Sequence, residues 1–177
     1  PATQTCPFES YHRAPRPASP EGSFAPLLAY AAGAVRQTYR SWGLRPEEET
    51  QEVPDHAATE LRFMAMLVAI ESQLGYGGED WQLAAVLRAQ ADFLDQHILA
   101  WFPAWIATVQ ARARLPFYRT LVHLLARFLE RDRRTLTLLL GARELSSALA
   151  RIENASPRDS ASGAGVHPGD SNKGDPS

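Results

Sequence analysis

Seven residues, Leu83, Leu87, Ala91, Leu94, Ile98, Trp101 and Trp105, recur at spacings of three and four along one stretch of this chain. A strand would send alternate side chains to opposite faces, so this spacing fits only a helix buried along a single stripe. The pattern predicts a helix from Glu79 or Asp80 onward. Pro103 falls between the two tryptophans, where it lacks a backbone N–H and crowds the preceding turn, so a kink or a break with a fresh start is expected near Trp101. Gly75, Gly77 and Gly78 separate this helix from the one before it.

The same period organises the rest of the chain. A helix is predicted from Ser23 or Phe24 to Trp42, with Ser23 as its cap, Pro26 in its first turn and Gly43 as its stop. A second runs from about Asp55 with Phe63, Leu67, Ile70 and Leu74 on one stripe and Leu61, Met64 and Val68 beside it. Pro116 opens another, with Phe117, Leu121, Leu124, Leu125 and Phe128 expected to turn inward. Leu136 to Leu140, with Leu145 and Leu149, is read as a short terminal helix after Gly141. No alternating strand pattern of useful length occurs, and no repeat of fixed period. The expected organisation is an extended, proline-bearing segment at 1–22, an all-helical domain at 23–152 and a disordered tail at 153–177. The fold class is all-α, a helical bundle.

Composition narrows the function classes. The chain of 177 residues has a formal net charge of -2 and an apolar fraction of 45%, ordinary for a globular protein and unsuited to wrapping nucleic acid. Cys6 is the single cysteine, which excludes an internal disulfide and suits a reducing compartment. No run approaches a membrane span, and no basic-then-apolar leader opens the chain, so a cytoplasmic location is expected. Charge is uneven, however. Between Arg45 and Glu60 lie Glu47, Glu48, Glu49, Glu52, Asp55 and Glu60, six acids against one base. Between Arg112 and Arg134, seven arginines face Glu130 and Asp132. Such runs serve as solvated surface; the acidic one also suits a cationic partner, such as a basic-then-apolar peptide.

The densest chemistry is Pro54-Asp55-His56 with Glu60 one turn on. Pro54 marks the start of the helix, and Asp55 is placed to cap it, accepting from free N–H groups at its positive end. His56 and Glu60, four apart, are expected on one face. A plain cap is worth about 1 kcal/mol and does not call for a neighbouring histidine. A metal role for His56 and Glu60 would need two further ligands, which neither Cys6 nor His97 is spaced to supply. No metal or cofactor set is read.

Several motifs in order carry a resemblance. They are Pro7-Phe8-Glu9-Ser10, Tyr39-Arg40-Ser41-Trp42-Gly43-Leu44, Pro54-Asp55-His56 with Glu60-Leu61, Phe93-Leu94-Asp95-Gln96-His97 leading to Trp101-Phe102-Pro103-Ala104-Trp105, and Pro116-Phe117-Tyr118. Over residues 6 to 140 this order resembles the TorD/DmsD/NarJ family, all-helical cytoplasmic chaperones that mature molybdenum enzymes of the dimethyl-sulfoxide-reductase type. The resemblance implies a protein without turnover. Such a protein binds the twin-arginine signal peptide of an apo catalytic subunit, holding back export until the cofactor is inserted. It implies Asp55 and His56 as the signal-binding pair, with Tyr39, Trp42, Gly43 and Glu60 as neighbours. Paired arginines seek carboxylates, and the signal's apolar run needs a greasy groove. Pro54, Glu9, Ser10, His97, Trp101 and Pro103 are read as structural. The family carries a further helical portion ahead of the Pro-Tyr-Glu-Ser segment, which is not found here. A truncated chain, a fragment, or a homodimer that exchanges helices would each account for that.

Two other readings stay open. One is a helical adaptor or regulator that ignores signal peptides. The other is an enzyme using Asp55, His56 and Glu60 as acid-base groups, although no nucleophile motif or phosphate-cradling loop accompanies them. Arg133-Arg134-Thr135-Leu136 mimics a twin-arginine signal but sits inside a predicted helix, and reads as surface charge followed by core.

Overall fold

A computed structural model describes residues 5–13, 25–45 and 52–155, and these residues are helical, joined by turns and short loops. The elements are α1 (Glu9–Arg13), α2 (Ala25–Ser41), α3 (Ala57–Leu74), α4 (Asp80–Phe93), a π-helical turn (Leu94–Ile98), α5 (Leu99–Arg112) and α6 (Pro116–Ala155). α3 packs against α4, and α6 packs against both α4 and α5, while α1 sits on α5 and α2. The all-α class expected from periodicity is the fold observed. Among the described residues, no helix is long and apolar enough to cross a membrane.

The stripe that predicts α4 and α5 is the core. Leu87, Ala91, Leu94, Ile98 and Trp101 are buried, with Leu83 and Trp105 packed half-buried against them. α3 contributes Phe63, Met64 and Leu67, with Ile70 and Leu74 at the margin, while Val68 is exposed. Tyr39, Phe63 and Phe93 bring α2, α3 and α4 together, with ring centroids 4.9 Å apart for Tyr39–Phe63 and 4.6 Å for Phe63–Phe93. α2 ends as predicted at Gly43. Its φ of 79° puts it in the left-handed region that glycine reaches without a side-chain clash. Leu44 N–H then donates to the Tyr39 carbonyl at 3.0 Å and Gly43 N–H to that of Arg40 at 3.1 Å, the two bonds of a Schellman stop. The Ser23 cap lies outside the described residues. Glu79 caps α4, its own N–H donating to the Gln82 side chain at 3.0 Å.

Four expectations need correcting. First, segment 1–22 is not wholly extended: Glu9–Arg13 forms one helical turn, and Phe8 makes an antiparallel bridge to His56. Second, the irregularity expected near Trp101 lies upstream, where Leu99 N–H reaches back five residues to the Leu94 carbonyl. That π turn starts a new α segment at Leu99. Pro103 costs α5 the bond its amide would have made to the Leu99 carbonyl, yet the helix continues through it. Third, α6 does not turn in the face predicted for it. Phe117, Leu121, Leu124 and Phe128 are exposed, and the buried positions are Val122, Leu129 and Leu136, with Leu125 half-buried between the two faces. Fourth, no separate terminal helix follows Gly141, because α6 runs without a break to Ala155. A single exposed glycine costs a helix about 1 kcal/mol, too little to stop forty residues of it.

Candidate functional site

Pro54 to Glu60 form a knot with the N-terminal segment. Glu9 N–H donates to the Asp55 carbonyl and Ala57 N–H to the Pro7 carbonyl, both at 2.9 Å, which zips residues 7–9 against 55–57. This pairing displaces Asp55 from the role expected of it. His56 is the N-cap of α3, with extended backbone, and its Nδ1 accepts from Ala58 N–H at 3.1 Å. The Asp55 carboxylate is buried and accepts instead from Ser10 N–H at 3.0 Å. It therefore caps α1 from outside, 45 residues away in sequence.

Below the knot lies a buried cluster of acids. Glu9 and Glu60 are both fully buried. Glu9 accepts from His97 Nδ1 at 3.1 Å, so that nitrogen carries the hydrogen, and it also pairs with Arg13. Glu60 Oε2 accepts from Trp101 Nε1–H at 3.0 Å, while no donor among the described residues is aimed at its Oε1. Burial, and then the Glu9 charge, push the Glu60 carboxyl up to about 9. A carboxyl raised this far keeps its proton through neutral pH. Burial, and then the charges of Glu60 and Glu9, also hold the Tyr39 phenol far above its ordinary range. Its O–H remains a donor, to the Pro54 carbonyl at 2.8 Å.

The structure thus gathers Tyr39, Pro54, Asp55, His56, Glu60, Glu9, Ser10, His97 and Trp101 around one knot. Their exposure differs. Tyr39, Asp55 and Glu60 are buried, whereas His56 and Trp42 are half-buried and Gly43 is exposed in the turn that ends α2. His56 and Glu60 do not share an accessible face, because His56 is the cap and Glu60 points into the core. Phe8 meets the His56 ring edge-on, with centroids 5.1 Å apart. Pro103 lies exposed on α5, two residues beyond Trp101. Of the acidic run, Glu52 is half-buried and pairs with Arg62, and Glu47, Glu48 and Glu49 lie outside the described residues.

Sequence reasoning missed two participants. His12 stacks on Trp101 at 5.3 Å and bonds through Nε2 to the Cys6 carbonyl at 2.8 Å. Arg13 pairs with Glu9 and donates to the Gln96 carbonyl at 2.9 Å. Their spacing of three and four from Glu9 was a usable signal, hidden by reading a proline-rich segment as extended.

Comparison with known proteins places this arrangement. The family described as nitrate reductase delta subunit matches residues 2–107. The chaperone protein TorD of Vibrio cholerae serotype O1 (strain ATCC 39541 / Classical Ogawa 395 / O395) is 29% identical over 109 residues, covering 62% of this chain and 48% of that protein. The perchlorate reductase assembly chaperone protein of Dechloromonas aromatica (strain RCB) is 35% identical over 92 residues, covering 52% and 40%. The selenate reductase assembly chaperone protein of Thauera selenatis is 36% identical over 73 residues, covering 41% and 37%. The chain spans about half the length of the TorD relatives it matches. No solved structure matches it. With the family match extending over more than half of the sequence and the Pro54-to-Glu60 knot lying inside it, this chain belongs to the nitrate reductase delta subunit family, the TorD-like group.

Proposed function

We propose that this chain is a cytoplasmic maturation chaperone for a molybdenum enzyme of the dimethyl-sulfoxide-reductase type. It binds the twin-arginine signal peptide of the apo catalytic subunit at the mouth of α3, assists cofactor insertion and holds back export. The relatives named for the assembly of perchlorate and selenate reductases support this class of client. The observation that carries the reading is the knot itself: a half-exposed imidazole fixed at a helix entrance by backbone pairing and by buried acids.

The residues divide the work. Asp55, Glu60 and Tyr39 act from below, fixing the positions of Ser10, Trp101 and Pro54. His56, Trp42 and the Gly43 turn offer the reachable surface. The acidic run from Glu47 to Glu52 supplies the long-range attraction for two adjacent arginines. The binding is non-catalytic, so affinity is the quantity to measure.

Titration of the chain with a peptide carrying two adjacent arginines and an apolar run tests this. Saturable binding is expected, reduced at least tenfold when both arginines become lysines and also in His56→Ala, whose thermal unfolding stays close to that of the parent. Equal affinity for the arginine and lysine peptides, or undiminished binding by His56→Ala, would overturn the assignment and favour a helical adaptor.

A further inference from the structure

The forty residues of α6 make a rod about 60 Å long, and the other described residues pack against one side of it. Val122, Leu129 and Leu136 face the core. A second apolar stripe runs along the opposite side. Its first half is Phe117, Leu121, Leu124 and Phe128, and its second half is Leu138, Ala142, Leu145 and Leu149, continued by Ile152. All are exposed, Phe117 at 66% and Leu138 at 74%. From Phe117 to Ile152 these positions are separated by four and three residues in strict alternation, with Arg131 and Thr135 filling the two middle places. Nine apolar residues in eleven such places over five heptads form the pattern of a coiled-coil seam, not of scattered surface residues. Among the described residues, none covers it.

We propose that this seam pairs with the same seam of a second copy, the two α6 helices running antiparallel as a coiled coil, with no exchange of helices. Self-complementarity selects this occupant. Antiparallel knobs-into-holes packing layers Phe117 on the partner's Leu149, Leu121 on the partner's Leu145, Leu124 on the partner's Ala142 and Phe128 on the partner's Leu138. In that register the polar places coincide too, with Arg131 meeting the partner's Thr135. Sliding by one heptad would set Arg131 against the partner's Phe128 or Ala142 and lose that match. A parallel pair would oppose Arg131 to its own copy, a like-charge contact inside the seam.

The area is of the right order. The exposed phenylalanine, leucine and isoleucine side chains of the seam offer roughly 600 Å² per copy. The flanking positions add to this, and a standard interface takes about 800 Å² per partner. The last turns of α6, beyond Leu140, touch the bundle through surface ion pairs such as Arg143–Asp80 and Arg88–Glu144, so the coiled coil would also account for the helix continuing there.

Sedimentation equilibrium of the full chain tests the proposal. A mass twice the 19.5 kDa of one chain is expected at micromolar concentration. Leu145→Lys combined with Leu149→Lys should give a monomer that still unfolds cooperatively and whose midpoint no longer depends on protein concentration, because neither side chain is in the core. Direction is read by cross-linking in a Cys6→Ser background. Leu124→Cys together with Ala142→Cys should oxidise to a covalent dimer, and each alone should not. A monomeric parent would overturn the proposal and leave the seam to a different protein. A dimer that survives the double lysine variant would place the interface elsewhere. Single cysteines that cross-link as well as the pair would make the helices parallel.

Discussion

At the mouth of α3 the strongly polar side chains are buried and held, while along the outer face of α6 the large apolar ones stand in solvent. Glu9, Asp55 and Glu60 sit where a carboxylate is costly, and each is tied to a specific donor: His97, Ser10 N–H and Trp101. Phe117, Leu124 and Leu138 sit where an apolar side chain gains nothing from its own fold. The first inversion fixes a conformation, because a buried polar group has one acceptable arrangement of partners. The second leaves a surface unfinished, because an apolar stripe accepts any complementary one. A polar group inside marks where this chain positions something; apolar groups outside mark where it receives something.

The largest expected effect separates the two faces of α6. Leu136, 2% exposed, and Leu138, 74% exposed, are two residues apart on one helix. Leu136→Ala should lower the unfolding free energy by about 2–5 kcal/mol, the range for emptying a packed site. Leu138→Ala should stay within about 0.5 kcal/mol for the monomer measured at dilution. Urea unfolding of both decides it, and equal losses would mean that the outer face is packed as tightly as the inner one.

A smaller effect concerns the acids. The folded state keeps the Glu60 proton up to about 9, whereas the unfolded chain releases it near its ordinary value of 4.5. The folded state therefore binds the extra proton between these limits, and stability falls as pH rises through that window. The slope is at most about 1.4 kcal/mol per pH unit. Glu60→Gln retains an oxygen for the Trp101 N–H but cannot titrate, so its unfolding midpoint should decline less than the parent's between pH 5 and about 9. Parallel pH profiles of parent and variant would show that Glu60 is ionised in the fold.

Much of this architecture was legible in the residues. The three-and-four spacing from Leu83 to Trp105 named both the helix and its buried face, since a single stripe leaves no choice of side. α6 carries two stripes, and periodicity alone cannot say which one its own bundle takes. Val122, Leu129 and Leu136 won, and the more conspicuous phenylalanines did not. Pro54, Asp55 and His56 announced a helix entrance correctly. Their roles were displaced by one residue because the Asp55 partner, Ser10 N–H, comes from a distant segment that the proline content disguised. The proton held by Glu60 depends on Glu9 across the knot, which no local pattern encodes.

The central claim, that the mouth of α3 is where a signal peptide is held, is met most directly by amide hydrogen exchange of the chain with and without a twin-arginine peptide. Slower exchange is expected at residues 8–13 and 54–60, with the last turns of α6 unchanged. Protection confined to α6 between Leu138 and Ile152, with residues 54–60 exchanging as before, would contradict it and move the peptide to the other face of the molecule.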